Sequence, residues 1–407
     1  MRFCMVTTFY PPYHFGGDAT YVRALSRTLA GMGHEVEIVH CVDAYRLKGG
    51  DPPEAARGGD GAEDGITVHR IESRFGPLSP LVTQQAGHPG LKSRALRAIL
   101  ARPFDVVHFH NISLIGGPAV LRWSRAPVTL YTLHEHWLLC PTHIFWKNGT
   151  AACDRPTCFR CSIRSGIPPQ LWRYTPLARR SVAAADVLLA PSRYTADRHR
   201  AAGFEPPIRV LPLFSAIAPP AAGPAPPPPA PPRFLFVGRV TPSKGIGALV
   251  EEFAALPGYE LLVVGDGDLR PALERRYAGC ANIRFAGRLP QADLAAAYRG
   301  ATALVFPSLA PETFGLSVVE AFACGTPAIV RDAGGAGELV EDTGGGIVYR
   351  TGGELRQAVS RLAGDPALRD ALGRRAREGF LRRYTVERHM DEYLGHVGAI
   401  RASKGVH

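Results

Sequence analysis

The hydrophobic pattern of this 407-residue chain alternates short apolar runs with longer amphipathic segments along almost its whole length. Short apolar runs between glycine, proline and polar residues are typical of buried strands, and apolar residues that recur every three or four positions are typical of helices. This alternation predicts an α/β fold built on parallel sheets. The predicted strands are residues 2–8, 35–41, 105–110, 128–133, 186–190, 208–211, 234–237, 260–264, 283–285, 303–306 and 328–330.

Residues that commonly begin or end helices lie in the segments between these strands. Residues 43–65 are rich in glycine and acidic side chains and have no periodicity, which predicts a loop, and residues 332–338 predict a second, glycine-rich loop. The predicted helices are residues 19–32, 91–102, 170–185, a helix beginning at Ser192, a helix after Gly245, residues 291–299, a helix from about Gly315, an arginine-rich helix from Pro366, and residues 386–400.

One proline-rich stretch, residues 219–232, predicts the domain organisation. It can form neither helix nor sheet and is typical of a stiff polyproline linker. A chain of this length holds about two to three domains. The predicted parts are an N-terminal domain over residues 1–215, a linker over 216–232, a C-terminal domain over 233–385, and a last helix with its tail over 386–407.

Composition and charge narrow the classes of partner. Hydrophobic residues make up 46% of the chain and charged residues 20%, and the apolar runs are too short to span a membrane. The opening MRFCMVTTFYPP lacks a signal-peptide pattern, so we expect a cytoplasmic protein. The net charge of +11 favours nucleotides, anionic lipid surfaces or nucleic acid as partners. A GC-rich genome would produce the same excess of arginine without any such partner. The basic helix at 91–102 presents either a solvated face or a contact with lipid headgroups.

The stretch from Val305 to Pro327 carries the clearest candidate chemistry. It predicts a strand, a loop and then a helix, and the free N–H groups at a helix start form an anion site. Glu312 lies in the loop and Glu320 on the helix, and carboxylates accept hydrogen bonds from pairs of hydroxyls. The combination suits a sugar joined to a phosphate. The alternative is a surface loop capped by Glu312, with Glu320 exposed to solvent.

The loop after the first strand of the second half predicts a diphosphate site. Gly238 follows the strand directly, and Arg239 and Lys244 lie five residues apart on the loop. Arginine supplies a fork of donors and lysine a point charge, a combination that grips phosphates. A basic surface loop is the alternative interpretation.

Candidate residues in the first half lie where predicted strands end. Gly16 and Gly17 precede the first helix, where a glycine pair allows the backbone to approach a ligand or simply forms a turn. The strand at 105–110 ends in two histidines, the strand at 128–133 runs into two more, and ligands of parallel sheets bind beyond such strand ends. His134 and His110 are the functional candidates, and the other two, His108 and His136, are the weaker ones.

Four of the eight cysteines fall in a window of about twenty residues, approximately 140–161. They are Cys140, Cys153, Cys158 and Cys161. The last two form a C-x-x-C pair, the spacing that structural zinc sites prefer, and His143 could replace one thiolate. A structural zinc ion is the first interpretation. Disulfides, an iron–sulfur cluster and reduced free thiols remain open.

In this order and over nearly the whole chain, these motifs resemble the GT-B glycosyltransferases of family 4. The resemblance rests on the Gly16-Gly17 loop, the Gly238–Gly245 loop, GDG at 265–267, FAG at 285–287 and the stretch PSLAPETFGLSVVEAFACGTP, whose Glu312 and Glu320 form the E-x7-E motif of that family's retaining enzymes. It implies two Rossmann-like domains that face a cleft, with the last helix crossing back to the N-terminal domain. The cysteine-rich insert resembles one found in a subset of the family.

The resemblance also implies roles for individual residues. His134, Glu312, Arg239 and Lys244 would be catalytic: the first two contact the donor sugar, and the two cations contact the diphosphate of a nucleoside diphosphate sugar. Glu320 would bind the ribose hydroxyls. The remaining donor-binding positions implied are Gly16, Gly17, Gly238, Arg288, Leu289, Phe314, Gly315, Leu316 and Ser317.

The implied activity is retaining transfer of a sugar to an acceptor hydroxyl, with UDP or GDP as the nucleotide and no cofactor needed for the chemistry. Asp266-Gly267-Asp268, after the strand at 260–264, overlaps the GDG motif of the resemblance and is not interpreted as the Asp-x-Asp of metal-dependent transferases, so Mg²⁺ is not expected. The acceptor could be a glycan, a lipid-linked intermediate or a small molecule, with peripheral membrane contact possible and no role for nucleic acid. A glycoside hydrolase would have no reason for the Arg239 and Lys244 pair. The non-enzymatic alternative is a zinc-bearing binding protein.

Overall fold

The structure is a computed structural model that describes residues 1–49, 61–215, 217 and 230–406. The chain forms two compact units. The first contains residues 1–144, 155–211 and 390–407, and the second contains residues 145–154 and 212–389. The predicted linker at 216–232 lies outside the described residues, apart from residue 217 and residues 230–232, so its conformation stays a prediction.

The first unit is built on an eight-stranded sheet with the order β10-β9-β6-β5-β1-β2-β4-β3. Its strands pair in parallel except for the last, β3, which is antiparallel to β4. The strands are β1 Arg2–Val6, β2 Glu35–Cys41, β3 Gly61–Glu63, β4 Ile66–Ile71, β5 Val106–Phe109, β6 Val128–Thr132, β9 Val187–Ala190 and β10 Ile208–Val210, and a hairpin of β7 Trp146–Lys147 and β8 Ala151–Ala152 lies between β6 and β9 in sequence.

The helices that belong to residues 1–211 connect these strands. They are α1 Gly17–Gly31, α2 Val42–Leu47, α3 Leu78–Ala86, α4 Ser93–Leu100, α5 Cys158–Arg164, α6 Leu177–Val182 and α7 Arg193–Ala201, with 3₁₀ turns at Gly90–Lys92, Pro118–Trp123 and Leu171–Tyr174. The Ser192 side chain accepts a hydrogen bond from Thr195 N–H and so caps α7, as the predicted helix start requires.

The second unit is built on a six-stranded, wholly parallel sheet with the order β13-β12-β11-β14-β15-β16. This is the order of a Rossmann-type sheet, and the fully buried β14 and β15 read as continuous apolar runs because both faces are covered. The strands are β11 Arg233–Val237, β12 Glu260–Val264, β13 Ile283–Gly287, β14 Ala303–Phe306, β15 Ala328–Arg331 and β16 Gly346–Tyr349.

The remaining helices complete the second half of the chain. They are α8 Ile246–Ala254, α9 Arg270–Arg276, α10 Gln291–Arg299, α11 Leu316–Ala323, α12 Ala336–Thr343, α13 Gly352–Gly364, α14 Pro366–Arg383 and α15 Val386–Ser403, with a 3₁₀ turn at Pro242–Lys244. The predicted α/β class with parallel sheets is confirmed, and both sheets are of the Rossmann type. No helix in the described part of the chain is long and apolar enough to cross a membrane.

Several predicted elements need correction. The predicted helix at 170–185 divides into a 3₁₀ turn and α6, because Pro176 lacks an N–H group and interrupts the helix. The predicted loop at 43–65 begins inside α2 and ends in β3, and residues 50–60 lie outside the described residues. Helix α12 begins within the predicted loop at 332–338. The short elements β4, β16 and α9 were not predicted, since a few residues carry too little periodicity to separate them from loops. Helix α13 was not predicted either, although its buried Leu355, Ala358, Val359 and Leu362 recur at helical spacing.

The basic helix predicted at 91–102 is shorter than expected, and its first lysine is buried. Lys92 is 2% exposed, and its ammonium donates hydrogen bonds to Thr83 Oγ1 at 2.6 Å and to Ser79 O and Oγ at 3.1 Å. Burial lowers the pKa of Lys92. This lysine therefore holds the 3₁₀ turn at 90–92 against α3 and is not part of the solvated face.

The C-terminal part of α15 packs on the first sheet. The Tyr393 hydroxyl lies 3.0 Å from His108 Nδ1, and the two rings stack with centroids 5.4 Å apart. Arg401 forms an ion pair with Asp105 at 3.1 Å, and Lys404 donates a hydrogen bond to Pro127 O at 2.8 Å. Residues 390–407 are thus part of the first unit, although they follow the second unit in sequence.

Candidate functional site

The second sheet places its ligand-binding edge at the ends of β11 and β14. Strand β11 is flanked by β12 on one side and β14 on the other, so the connections that leave β11 and β14 turn to opposite faces. In an open parallel sheet, this reversal leaves a crevice beyond the carboxyl ends of the strands. The predicted residues Gly238, Arg239, Lys244 and Glu312 all lie on the loops at this edge.

The backbones that follow β11 and β12 come so close together at this edge that one position must be glycine. Gly265, which follows β12, has φ +129°, and a Cβ built on it would lie 1.9 Å from the carbonyl oxygen of Gly238. The Gly238 N–H in turn donates to Val264 O at 3.1 Å. The ends of β11 and β12 can therefore come this close only without a side chain at position 265.

The loop after β11 is locked to the loop after β14. A Cβ on Gly245 would lie 2.1 Å from Pro307 O, and Gly245 has φ +70° at the end of the 3₁₀ turn. Ser243 O accepts hydrogen bonds from the N–H groups of Leu309 and Ala310 at 2.9 and 3.0 Å. This packing brings residue 244 beside residue 312, which is 68 positions away in sequence.

Lys244 and Glu312 form an ion pair at the centre of this edge. The Lys244 ammonium lies 2.6 Å from Glu312 Oε1, and the Ser308 hydroxyl donates to the same oxygen at 2.5 Å. The side chains of Lys244 and Glu312 are 22% and 18% exposed, so a ligand can reach both. Among the described residues, Oε2 of Glu312 has no hydrogen-bond partner, which leaves an acceptor available for a hydroxyl.

A third loop holds the backbone of Glu312. Gly335 N–H donates to Glu312 O at 2.7 Å, and Gly334 forms a parallel bridge with Glu312. Gly334 has φ +73°, and a Cβ there would lie 2.4 Å from Glu312 O. The carboxylate is therefore positioned by contacts on both its side chain and its main chain.

Helix α11 begins directly after this loop and has no side-chain cap. Gly315 is its N-cap residue and, without a side chain, makes no cap bond to the first N–H groups of the helix. Uncapped N–H groups and the helix dipole favour an anion at this position. The preceding residue, Phe314, is buried with its ring 6.2 Å from that of Tyr384, which fixes the start of the helix. Leu316 and Ser317, the first two residues of the helix, are half-buried.

Glu320 lies one turn further along α11 and is bound to a buried tyrosine. The Tyr298 hydroxyl donates to Glu320 Oε2 at 2.7 Å, and Tyr298 itself is fully buried. Burial raises the pKa of the Glu320 carboxyl to about 7, and the hydrogen bond from Tyr298 opposes this rise. This carboxyl therefore changes charge near neutral pH.

The remaining donor-site predictions fall on the same edge without forming contacts. Arg239 is exposed and forms no hydrogen bond or ion pair with the described residues. Arg288 and Leu289 follow β13, with Arg288 exposed and Leu289 partly buried. Gly287 O accepts from Gly265 N–H at 2.7 Å, which ties the start of this loop to the loop after β12.

The first sheet has its own polar edge, at the ends of β5 and β6. His110 Nδ1 lies 3.0 Å from His134 Nε2, and the Tyr21 ring packs edge-on against His134 at 5.3 Å. Burial lowers the pKa of His110 well below its usual range, with His108 and His134 contributing. His110 is therefore neutral and positions the half-buried His134. The other two predicted histidines are buried, and His108 packs against Tyr393.

The loop before α1 reaches the same edge. Gly16, with φ +107°, is the N-cap residue and Gly17 the first residue of α1, and both are exposed. Asp18 accepts a hydrogen bond from Asn111 Nδ2 at 3.2 Å. Burial raises the pKa of Asp18 to about 6, and the nearby Glu135 adds to the rise. The first sheet thus offers hydroxyl-binding carboxylate and amide groups beside a histidine.

Several site residues were not predicted from sequence. They are Asp18, Tyr21, Asn111, Ser243, Tyr298 and Ser308. Each acts through a partner distant in sequence, and single serine, tyrosine and asparagine residues carry no spacing signal. The positions of Asp18 in the first turn of α1 and Asn111 just after β5 were the available signals.

The zinc interpretation of Cys140, Cys153, Cys158 and Cys161 gains no support from the structure. No group of three or more His, Cys, Asp or Glu side chains in the described parts of the chain could hold a metal ion, and none of the four cysteines is in a disulfide there. The cysteine at 140 places its Sγ 3.1 Å from Thr142 Oγ1, and those at 158 and 161 lie one turn apart on α5. The C-x-x-C spacing here is the spacing of a helical turn, so the zinc-bearing binding protein is likewise unsupported.

Two family models together cover most of the chain. Residues 15–214 match the model described as Glycosyltransferase Family 4, and residues 224–379 match the model described as Glycosyl transferases group 1. Glycogen synthase from Mycobacterium tuberculosis is 28% identical over 399 residues, covering 93% of this chain and 90% of the relative. A GDP-mannose-dependent alpha-mannosyltransferase from Mycolicibacterium smegmatis is 29% identical over 422 residues, covering 98% of each.

A solved structure has a similar fold over the same length of chain. Sucrose-phosphate synthase from Thermosynechococcus elongatus superposes with a TM-score of 0.73 at 21% identity, covering 99% of each chain. At this identity the likeness concerns the fold. Together with the family models and the full-length relatives, it identifies the chain: it belongs to glycosyltransferase family 4, has the GT-B fold, and is an enzyme that transfers sugar from a nucleoside diphosphate sugar.

Proposed function

We propose that this enzyme transfers a hexosyl group with retention of configuration from UDP- or GDP-sugar to an acceptor hydroxyl, and that it needs no metal ion. The observation that carries this proposal is the Lys244–Glu312 pair beside the uncapped start of α11. A cation, a hydroxyl acceptor and free N–H groups meet at one strand edge, which matches the diphosphate and sugar parts of such a donor.

Lys244, Arg239 and the start of α11 would bind the diphosphate. Its negative charge grows as the glycosidic bond breaks, and positive groups held in place beforehand stabilise that charge without reorganisation. Lys244 is held by its ion pair, whereas Arg239 is exposed and can reach a phosphate. These charges supply the stabilisation that Mg²⁺ supplies in metal-dependent transferases. Gly238 keeps the loop backbone close to the phosphates.

Glu312 and Glu320 would bind hydroxyl groups of the donor. Glu312 has Lys244 and Ser308 on Oε1, so its Oε2 is oriented to accept from a sugar hydroxyl. Glu320 would accept from the ribose hydroxyls, while Tyr298 holds its other oxygen. Residues Arg288 and Leu289, at the end of β13, would contact the base.

The first unit would bind the acceptor. Its edge carries His134, oriented by His110, together with Asp18 and Asn111, groups that suit a hydroxylated acceptor. Gly16 and Gly17 leave the start of α1 without side chains, so an anionic part of a ligand can approach it. His134 would take part in the transfer step.

Retention would follow from attack on the same face from which the nucleotide leaves. The acceptor oxygen forms the new bond to the anomeric carbon, the bond to the diphosphate oxygen breaks, and the departing phosphate oxygen accepts the acceptor's proton. Exclusion of water from the site would then limit hydrolysis of the donor.

The test separates nucleotide binding from transfer. Purified enzyme is screened by thermal shift against UDP, GDP, ADP, CMP and TDP with EDTA present, and transfer from the matching sugar donors is followed by nucleotide release. We expect one diphosphate to stabilise the wild type and the Glu312→Gln variant alike, because the amide oxygen can still accept from Lys244. Transfer by the variant should fall at least about a hundredfold, because the carboxylate proposed to accept from the sugar is lost.

The anomeric configuration of the product, read by NMR, tests retention. An inverted product would overturn the proposed stereochemistry. Stabilisation by no diphosphate, or full activity of Glu312→Gln, would overturn the assignment of the donor site. His134→Ala should reduce transfer without changing the nucleotide shift, and a loss of nucleotide binding in that variant would contradict its proposed role.

A further inference from the structure

The exposed large apolar side chains are concentrated in two segments of the first unit. Of the twelve such residues in the described part of the chain, eight lie between residues 75 and 91 or between residues 159 and 174. Proteins in water usually scatter such residues singly, so a concentration marks an interaction surface. The eight are Phe75, Leu78, Val82, Leu91, Phe159, Ile163, Leu171 and Tyr174.

Three short helical segments each expose an apolar pair on one side. Residues four apart on an α-helix, or three apart in a 3₁₀ turn, point in the same direction. Their exposed fractions run from 41% to 66%. The pairs are Leu78 and Val82 on α3, Phe159 and Ile163 on α5, and Leu171 and Tyr174 in the 3₁₀ turn at 171–174.

These three segments are neighbours in the fold. The Trp172 indole donates to Gln84 O at 2.9 Å, and Gln85 Nε2 donates to Pro168 O at 3.3 Å, which joins the 3₁₀ turn and the loop before it to α3. The Ile167 N–H donates to Ser162 O at 2.8 Å, which holds the end of α5 against the same loop. The docking surface is defined here as α3, α5 and the 3₁₀ turn at 171–174.

The two stretches of sequence that carry the docking surface are basic, although Lys92 and Arg173 within them are buried or half-buried. The sequence has no acidic residue between Glu72 and Asp105, or between Asp154 and Asp186, whereas these stretches carry five and six basic residues. Arg160 and Arg164 alternate with the exposed pair on α5, are exposed, and form no ion pair among the described residues. The basic residues are Arg74, Lys92, Arg94, Arg97, Arg102, Arg155, Arg160, Arg164, Arg173, Arg179 and Arg180.

We propose that the docking surface binds an anionic lipid bilayer. Its apolar pairs would enter the boundary between headgroups and acyl chains, and its arginines would meet lipid phosphates, the pattern of interfacial membrane proteins. A second copy of this chain is a poor occupant, because it would bring two acid-free basic surfaces together. Nucleic acid would leave the apolar pairs unused. The proposal does not depend on the donor site, which lies in the second unit.

Vesicle co-sedimentation of the full chain, without nucleotide, tests this proposal. The vesicles are pure phosphatidylcholine, or phosphatidylcholine with about 30% phosphatidylglycerol. The variants are Phe159→Ser with Ile163→Ser, Leu78→Ser with Val82→Ser, and Arg160→Ala with Arg164→Ala. The matched control is Leu381→Ser, which removes an apolar side chain that is 51% exposed on α14 of the second unit.

We expect binding to the anionic vesicles only, a loss of at least about fivefold in each double variant, and no change in Leu381→Ser. Each changed side chain is exposed, so thermal unfolding of every variant should match the wild type, and either apolar pair suffices if the other variant unfolds. No binding to anionic vesicles, or apolar variants that bind like the wild type, would overturn the proposal. A dimer in light scattering that the same variants disperse would overturn it in favour of self-association.

Discussion

The Lys244 ammonium lies 2.6 Å from Glu312 Oε1, and this ion pair joins two loops that are 68 residues apart in sequence. Both side chains are mostly buried but still accessible to a ligand. The electrostatic attraction between them is therefore stronger than in an exposed ion pair. Lys244 is thus held in position for an anion, and Glu312 presents its second oxygen. The pair is the structural centre of the proposed donor site.

Replacing Lys244 with alanine should abolish both nucleotide binding and transfer. The variant removes the charge proposed to meet the diphosphate and leaves Glu312 as an uncompensated carboxylate, so we expect transfer to fall at least about a hundredfold. Thermal shift with the diphosphate and nucleotide release measure the two effects.

A matched control for that variant is Arg356→Ala. Arg356 forms an ion pair of the same length, 2.6 Å, with Glu252, but on the helices α13 and α8 away from the strand ends. We expect this variant to bind nucleotide and transfer sugar like the wild type. Equal losses in both variants would mean that the Lys244 effect is structural.

Binding of the nucleoside diphosphate should weaken as the pH falls through 7. Burial raises the pKa of the Glu320 carboxyl to about 7, and only in the ionised form is the oxygen that Tyr298 does not bind purely an acceptor for a ribose hydroxyl. Well below that pH, affinity should fall by roughly tenfold per pH unit. Titration calorimetry between about pH 5.5 and about pH 8.5 measures this.

The variant Glu320→Gln separates this effect from the titration of the ligand's own phosphate. Its amide does not titrate, so any remaining pH dependence belongs to the phosphate. Identical pH profiles for the variant and the wild type would show that Glu320 does not bind the nucleotide in its ionised form.

The same variant should stabilise the free protein above pH 7. The pKa of Glu320 is higher in the folded chain than in the unfolded chain, so the folded state binds the extra proton and loses stability as the pH rises from about 4.5 to about 7. Glutamine keeps an acceptor for Tyr298 without the buried charge. We expect a gain of up to roughly 3 kcal/mol at pH 8 that disappears below about pH 4.5. Denaturant unfolding measures it, and the exposed Glu251→Gln should show no such gain.

Replacing Gly265 with alanine should destabilise the second unit. Gly265 has φ +129°, and the added Cβ would lie 1.9 Å from Gly238 O, so the ends of β11 and β12 would have to separate. We expect a loss of more than about 2 kcal/mol in denaturant unfolding, with weaker nucleotide binding. Gly279→Ala is the control, because a Cβ there meets nothing within 4 Å. Similar stability of the two variants would contradict the close approach.

Metal chelation should leave the thermal stability of the first unit unchanged. The described cysteines and histidines form no group that could hold a metal ion, so a chelator has no zinc site to disrupt. We expect the same melting temperature with and without a strong chelator, and no zinc by elemental analysis of the purified chain. A drop in melting temperature that added zinc reverses would restore the zinc interpretation.

The sequence alone determined the fold class and the loops on which the proposed donor-site residues lie. Strong apolar runs located β12 and β14 at their observed bounds, because a buried parallel strand needs such a run. Glycine and charged residues at the strand ends then placed Gly238, Lys244 and Glu312 on one edge, since parallel strands end on the same side. Short elements such as β4 and α9 were missed because a few residues carry little periodicity.

The tertiary structure decided which of these residues meet and how they are charged. The sequence could not show that Lys244 and Ser308 share Oε1 of Glu312, or that Tyr298 binds Glu320, because Lys244 and Tyr298 lie on other elements than their partners. Burial also depends on packing: it raises the pKa of Glu320, and it places Lys92 inside the first unit. The C-x-x-C pair shows the same limit, because spacing alone does not separate a metal site from one turn of α5.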